Sequence, residues 1–221
     1  MTLTLYYHPF SSYCQKVLIA LYERSVPFEP RLIDLGDPAA RAELEGHWPF
    51  AKFPVLRDEE SGLTVPESSS IIEYLDLRHV GPPPMIPEDR DLALLVRTFD
   101  RVFDNYVSTP LQTIVGDSLR PEDARDPYGV ARARDLLAKA YAFLDKEIGT
   151  RTWAAGDAFT LADCAAAPAL FYSGMLVPFD DHANLAAYYC RLRDRPSFAR
   201  AVDEARPYRA FFPLPWPAEH D

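Results

Sequence analysis

Residues 8–21, HPFSSYCQKVLIAL, place two serines, a tyrosine and a cysteine where an apolar-alternating run gives way to helical spacing. The start of a helix offers free backbone N–H groups and the positive end of the helix dipole, so it stabilises an anion such as a phosphate, carboxylate or thiolate. Ser11 and Ser12 are the candidate catalytic residues, with hydroxyls able to donate to such an anion. The alternative is that one of them only caps the helix. Ser11 and Cys14 also fall on a C-x-x-C register, with Ser11 in the attacking position and Cys14 in the resolving one. An attacking thiolate belongs at the exposed helix start. Cys14 lies one turn inside, where a free cysteine behaves as a small buried hydrophobe.

A second group of residues follows: Lys52 and the Phe53-Pro54 dipeptide, then PESSSIIEYL at 66–75, where Ser68 to Ser70 stand at the mouth of another helix. Further along, Phe99, Phe103 and Tyr106 recur at i, i+4 and i+7, with Tyr172 and Met175 on a later helix. Most of that stripe belongs to a core, and Tyr106 is the member best placed to face a cleft. His8, His79, His182 and His220 form no ligand spacing, and nine glycines supply neither a P-loop nor a dinucleotide fingerprint. Neither metal nor nucleotide is implied.

The elements that must position these residues alternate at first. Thr2 to Tyr7 reads as a strand, a helix runs from Ser12 to about Arg24, and Phe28 to Ile33 reads as a second strand. Pro30 restricts that strand to a position where a missing donor is tolerated. Residues 36–50 are ambiguous. Phe53 to Arg57 and Leu63 to Val65 suit an antiparallel hairpin, and a helix carrying Ile71, Ile72, Leu75 and Leu77 follows. The proline-rich stretch 81–90 reads as a linker between a domain at 1–80 and a second at 91–221. The second domain shows only helical periodicity: a stripe from Leu92 to Tyr106 ending around Pro110, a helix from Pro127 to Ile148, one starting at Thr160-Leu161-Ala162-Asp163, and two shorter ones at 184–193 and 197–205. The tail from Phe211 to Pro217 reads as a surface strap or a loose end.

Composition bounds the function. The 221 residues carry 23 Lys+Arg and 33 Asp+Glu, a net charge of −10, and 48% are hydrophobic, which gives a folded chain and opposes binding of nucleic acid. No apolar stretch is long enough to cross a membrane and the first residues lack the features of a secretory signal, so a cytoplasmic protein without a membrane partner is expected. Three distant cysteines argue for reduced thiols.

Ser11 to Lys16, Phe53-Pro54, Glu67-Ser68 and GDAFTLAD at 156–163 together resemble the cytosolic glutathione transferases, with the serine-type active-site motif of their theta-like and zeta-like classes. The resemblance implies an α/β thioredoxin-like N-terminal domain plus an all-α C-terminal domain, and a homodimer. It implies glutathione as co-substrate and a small hydrophobic electrophile as the second partner. On that resemblance Ser11 donates to the thiolate, Pro54 is cis and presents the backbone of Phe53 to the peptide, and Glu67 and Ser68 hold the γ-glutamyl end. Ser12 and Tyr7 compete with Ser11 for the thiol. Lys52 could reach the glycyl carboxylate, as could His47 or Trp48, and Phe103, Tyr106 and Tyr172 would line the electrophile pocket. The zeta-class motif continues with cysteine, tryptophan and arginine where this chain has Tyr13, Gln15 and Lys16, so a zeta-type isomerase is not expected. Two readings stand beside conjugation: a transferase-like binding or assembly module without turnover, and glutathione-dependent isomerisation or disulfide reduction.

Overall fold

A computed structural model of the chain describes residues 2–79, 81 and 83–217; His220 and part of the expected linker lie outside them. A four-stranded sheet has the order β2-β1-β3-β4, from β1 (Leu3–Tyr7), β2 (Glu29–Leu32), β3 (Val55–Asp58) and β4 (Thr64–Pro66). β1 pairs in parallel with β2 and antiparallel with β3, which pairs antiparallel with β4. The period of two along β1 sends Leu3 and Leu5 into the main core and Tyr6 to the opposite face with Ile33, Leu44 and Val55. Pro30 lies in β2, at the sheet's edge, where no outer strand needs its missing N–H.

Helix α1 (Ser12–Glu23) is almost wholly buried because it packs on the sheet unit's α3 (Ser68–Arg78) and also on the later helices α7 (Leu161–Gly174) and α9 (Pro196–Ala205). The ambiguous stretch contains α2 (Pro38–His47), capped by Asp37, whose carboxylate accepts the Ala39 N–H at 2.9 Å. Only Leu44 of this helix is fully buried, so its sequence carries little periodicity. The hairpin's first strand starts at Val55 rather than Phe53, which leaves Phe53 and Pro54 in the preceding loop.

The remaining chain is helical. α4 (Arg90–Val102) does not end at Pro110; it passes through a π-helical segment, Phe103–Ser108, into α5 (Thr109–Ser118). In a regular helix Pro110 would lose a hydrogen bond and its ring would press on the carbonyl four residues back. The wider π turn just ahead of it relieves that crowding. Both the backbone N–H and the hydroxyl of Thr109 reach back to the Asp104 carbonyl, the latter at 3.0 Å. α6 (Pro127–Ile148) and α8 (Ala183–Arg193) complete the helical layer around α7. α7 starts at a capping box in which the buried Asp163 carboxylate accepts the Thr160 and Ala154 N–H groups, both at 2.8 Å. After a 3-10 turn at Arg206–Phe211 the tail is a strap: Phe212 and Trp216 lie against the Phe10 ring at 6.4 and 6.2 Å. Among the described residues, no helix is long and apolar enough to cross a membrane.

Candidate functional site

The turn between β1 and α1 is tied by its own backbone. The Ser11 N–H reaches the His8 carbonyl at 3.0 Å and the Phe10 N–H reaches His8 Nδ1 at 3.2 Å. Ser11 is the N-cap of α1, extended at φ −80° and ψ 124°, and its Oγ accepts the Cys14 N–H at 3.3 Å. Accepting that bond does not use the hydroxyl's own proton, for which the Cys14 sulfur is one acceptor. Ser12 is buried, and its hydroxyl has no hydrogen-bond partner among the described residues. The Cys14 sulfur is enclosed and accepts the His8 N–H at 3.5 Å. Burial pushes its thiol up to about 12, opposed by hydrogen bonding to the sulfur from the Ser11 hydroxyl first and the His8 N–H second. Such a thiol has neither the access nor the ionisation that disulfide exchange requires. Tyr7 is half-buried, and burial followed by the Glu204 carboxylate raises its phenol above the usual tyrosine value.

Two clefts flank the start of α1. A polar cleft of about 230 Å³ brings together Lys52, Phe53, Pro54, Glu67 and Ser68. The Phe53–Pro54 peptide bond is cis. Glu67 is exposed at φ 67°, a left-handed backbone uncommon for a residue with a side chain, and it precedes the buried Ser68 at the N-terminus of α3. The same cleft holds Trp48 and four residues that no motif in the sequence marks as a site: Tyr13, Arg101, Asp104 and Asn105. Ser11 and Ser12 open instead into a second cleft of about 180 Å³, walled by Phe10, Leu111, Tyr172 and Phe212. Tyr13 follows Ser12 directly, so the first turn of α1 touches both clefts.

Of the three expected pocket aromatics, Tyr172 alone reaches the serines. It donates to the Phe10 carbonyl at 3.2 Å and accepts from Gln15 Nε2 at 3.0 Å. Phe103 is enclosed in the core beside Phe99. Tyr106 is half exposed and lines a different groove, of about 390 Å³, with Leu136 and Phe143 on the outer side of α6. Positions i, i+4 and i+7 share one face only while every turn takes about 3.6 residues. The π segment underwinds the helix from Phe103 onward, so Tyr106 leaves the face that Phe99 defines.

Beneath the polar cleft lies a buried ionic cluster. Lys16 Nζ stands 2.5 Å from Asp100 and 2.8 Å from Asp104, and it donates to Ser69 Oγ at 2.9 Å. Arg101 covers the cluster from the cleft side, bonding Asp100 through Nε at 3.1 Å and Asp104 through Nη2 at 2.9 Å. Burial raises the Asp104 carboxyl above its ordinary value, with Lys16 opposing. The sequence did carry a signal for this cluster: one lysine ahead of the run VLIAL, and two aspartates four apart on an apolar stripe.

Known proteins share this architecture. Residues 5–83 match the family described as glutathione S-transferase, N-terminal domain, and residues 108–196 match glutathione S-transferase, C-terminal domain. The chain is 30% identical to a stringent starvation protein A homolog of Coxiella burnetii, covering 92% of each, and 29% identical to FtsZ-localized protein A of Caulobacter vibrioides, covering 88% of each. A crystal structure of a Methylobacterium radiotolerans glutathione S-transferase in complex with glutathione sulfonate superposes with a TM-score of 0.81 at 33% identity, over 91% of this chain and 95% of that one. The sheet unit, the helical layer and nearly the full length are thus matched together, and the chain belongs to the glutathione S-transferase family.

Proposed function

We propose that the chain is a glutathione transferase, with residues 1–80 holding the tripeptide and residues 91–221 supplying the electrophile's surroundings. The observation that carries this reading is the placement of Ser11 at the cap of a helix whose first turn borders both a polar and an aromatic cleft. In the polar cleft Lys52 would meet the glycyl carboxylate, the Phe53 backbone the peptide, Glu67 the ammonium, and the Ser68 hydroxyl and N–H the γ-glutamyl carboxylate. The cysteinyl sulfur then arrives at the start of α1. A free thiol has a pKa of about 8.5, and each unit by which the Ser11 hydrogen bond and the helix terminus lower it is worth about 1.36 kcal/mol. The thiol proton leaves to solvent. The thiolate forms a carbon–sulfur bond to an apolar electrophile in the aromatic cleft, whose leaving group departs with the electron pair. Positioning and thiolate stabilisation would carry most of the rate. A homodimer is part of the same reading.

Titration calorimetry with glutathione, followed by conjugation assays on a panel of aryl halides, epoxides and haloacids, tests it. Binding together with conjugate formation is the expected result, and no binding at millimolar glutathione would overturn it. A binding module without turnover is the second reading, supported by two relatives whose names describe starvation and FtsZ localisation rather than transfer. It predicts glutathione binding with no conjugate on any substrate of the panel.

A further inference from the structure

We infer that Arg101 takes the α-carboxylate of the γ-glutamyl head, opposite Glu67 on its ammonium, so that this end of the polar cleft selects an α-amino acid zwitterion. The inference rests on reading the cleft as a glutathione site, and it adds a residue from the helical layer to a site otherwise built by the sheet unit. Arg101 lines the cleft with Glu67 and Ser68, and its side chain is 53% exposed. Its guanidinium is nevertheless fixed. Nε and Nη2 bond Asp100, Nη2 also bonds Asp104, and Nη2 contacts the Ser69 hydroxyl. Nη1 makes none of these bonds.

A guanidinium held along one edge, with no hydrogen bond to its other nitrogen among the described residues, is pre-organised for an incoming carboxylate. The acceptors that hold it are themselves anchored from below by Lys16, which contacts Asp100, Asp104 and Ser69. Lys52, the cleft's other cation, belongs to the loop carrying Phe53, whereas Arg101 shares its contact with Ser69 next to Ser68 at the start of α3. The two cations therefore suit the two carboxylates of one tripeptide, and Glu67 supplies the anion its ammonium needs. In the sequence Arg101 reads as a solvated charge beside an apolar stripe, which is why it passes unnoticed there.

The test is calorimetric titration of the unmodified protein, Arg101→Gln and Arg101→Lys with two peptides: glutathione, and 4-aminobutyryl-cysteinyl-glycine, which lacks only the α-carboxylate. Loss of one charge-assisted contact from Nη1 should weaken glutathione binding about tenfold or more in Arg101→Gln, while the truncated peptide changes less than about twofold. Arg101→Lys should fall between, since it keeps the charge and loses the edge by which Asp100 and Asp104 fix the group. Undiminished glutathione binding in Arg101→Gln would overturn the inference, as would equal weakening of both peptides, which would assign Arg101 to holding the helices alone. Should Arg101→Gln not fold, the ratio of the two affinities in Arg101→Lys decides, and a ratio equal to that of the unmodified protein overturns the inference. Absence of glutathione binding by the unmodified protein would instead remove the parent reading, and it is seen before any variant is made.

Discussion

Lys16 Nζ lies 2.5 Å from the Asp100 carboxylate with only 1% of the lysine side chain exposed, so the first helix of the sheet unit and α4 meet through a buried ion pair. Asp104 closes the other side at 2.8 Å. Lys16→Met removes the buried cation and leaves two buried carboxylates with the half-exposed Arg101 as their remaining cationic partner. Breaking a buried pair from one side costs about 3–5 kcal/mol. Urea unfolding at neutral pH should show a loss of that size, partly recovered in Lys16→Met/Asp100→Asn, where one stranded charge is gone. A loss below about 1 kcal/mol in the single variant would mean the cluster contributes little to stability.

Ser11 has two duties that one substitution cannot separate: it caps α1 through the Cys14 N–H, and it is the proposed donor to the thiolate. Ser11→Ala removes both, and loss of a cap costs about 1 kcal/mol. Ser11→Gly costs only a few tenths of that kind of stability, because glycine is tolerated at an N-cap. The expected result is near-normal thermal unfolding for Ser11→Gly with conjugation as low as in Ser11→Ala, and an apparent thiol pKa raised by about one unit or more in both. Conjugation that tracks stability across the two variants would show that the serine only holds the helix.

The core of this arrangement was legible because it follows from periodicity. The alternation in β1, the continuous apolar face of α1 and the Thr160-to-Asp163 cap each state their structure locally. Three features were not. α2 buries one leucine, so no stripe announces it. The π segment ahead of Pro110 keeps the helix going where proline chemistry predicts a stop, and it turns Tyr106 out of the expected pocket. Tyr172 was legible as a wall of the second cleft, but its aromatic neighbours there, Phe10 and Phe212, stand near opposite ends of the chain, and only tertiary packing brings those together.

The three cysteines should differ sharply in reactivity. Cys14 and Cys164 are buried with raised pKa values, chiefly from burial, whereas Cys190 is exposed. Since the thiolate is the reactive form, brief iodoacetamide treatment of the folded protein near neutral pH should add one carbamidomethyl group, at Cys190. Mass spectrometry of Cys190→Ser should then show none. A second adduct on the native protein, located at Cys14, would restore the thiol-exchange reading.

Acid should weaken the sheet unit through Asp58. Its carboxylate accepts the Tyr74 hydroxyl at 2.6 Å and the Glu60 and Ser61 N–H groups at 3.0 and 3.2 Å. The Tyr74 bond first, and the Ser61 hydroxyl second, hold this carboxyl well below the usual carboxylate range. A carboxyl depressed in the folded chain stabilises it fully above its unfolded pKa, about 3.9, and that contribution fades as pH falls from there toward the folded value. Asp58→Asn should therefore lower the urea midpoint at neutral pH and flatten its decline below about pH 4. Parallel acid limbs for the two proteins would show that Asp58 is not the group responsible.

The strap gives the last expectation, because it separates the two clefts experimentally. Phe212 and Trp216 pack on each other at 5.6 Å, and Trp216 also meets Phe171 at 6.0 Å, so the strap is held to α7 by aromatic contacts and forms a wall of the cleft beside Ser11. None of its residues lines the polar cleft. Each aromatic pair contributes about 0.5–1.5 kcal/mol beyond its buried area, so Phe212→Ala with Trp216→Ala should release the strap without unfolding the helices beneath. The electrophile's KM should then rise about tenfold, since an open apolar surface holds an apolar substrate less well than a closed one. Glutathione affinity should stay within about twofold, because its proposed partners, Lys52, Glu67 and Ser68, are untouched. A loss of glutathione affinity equal to the loss in KM would mean that the two clefts act as one site and that the strap supports both.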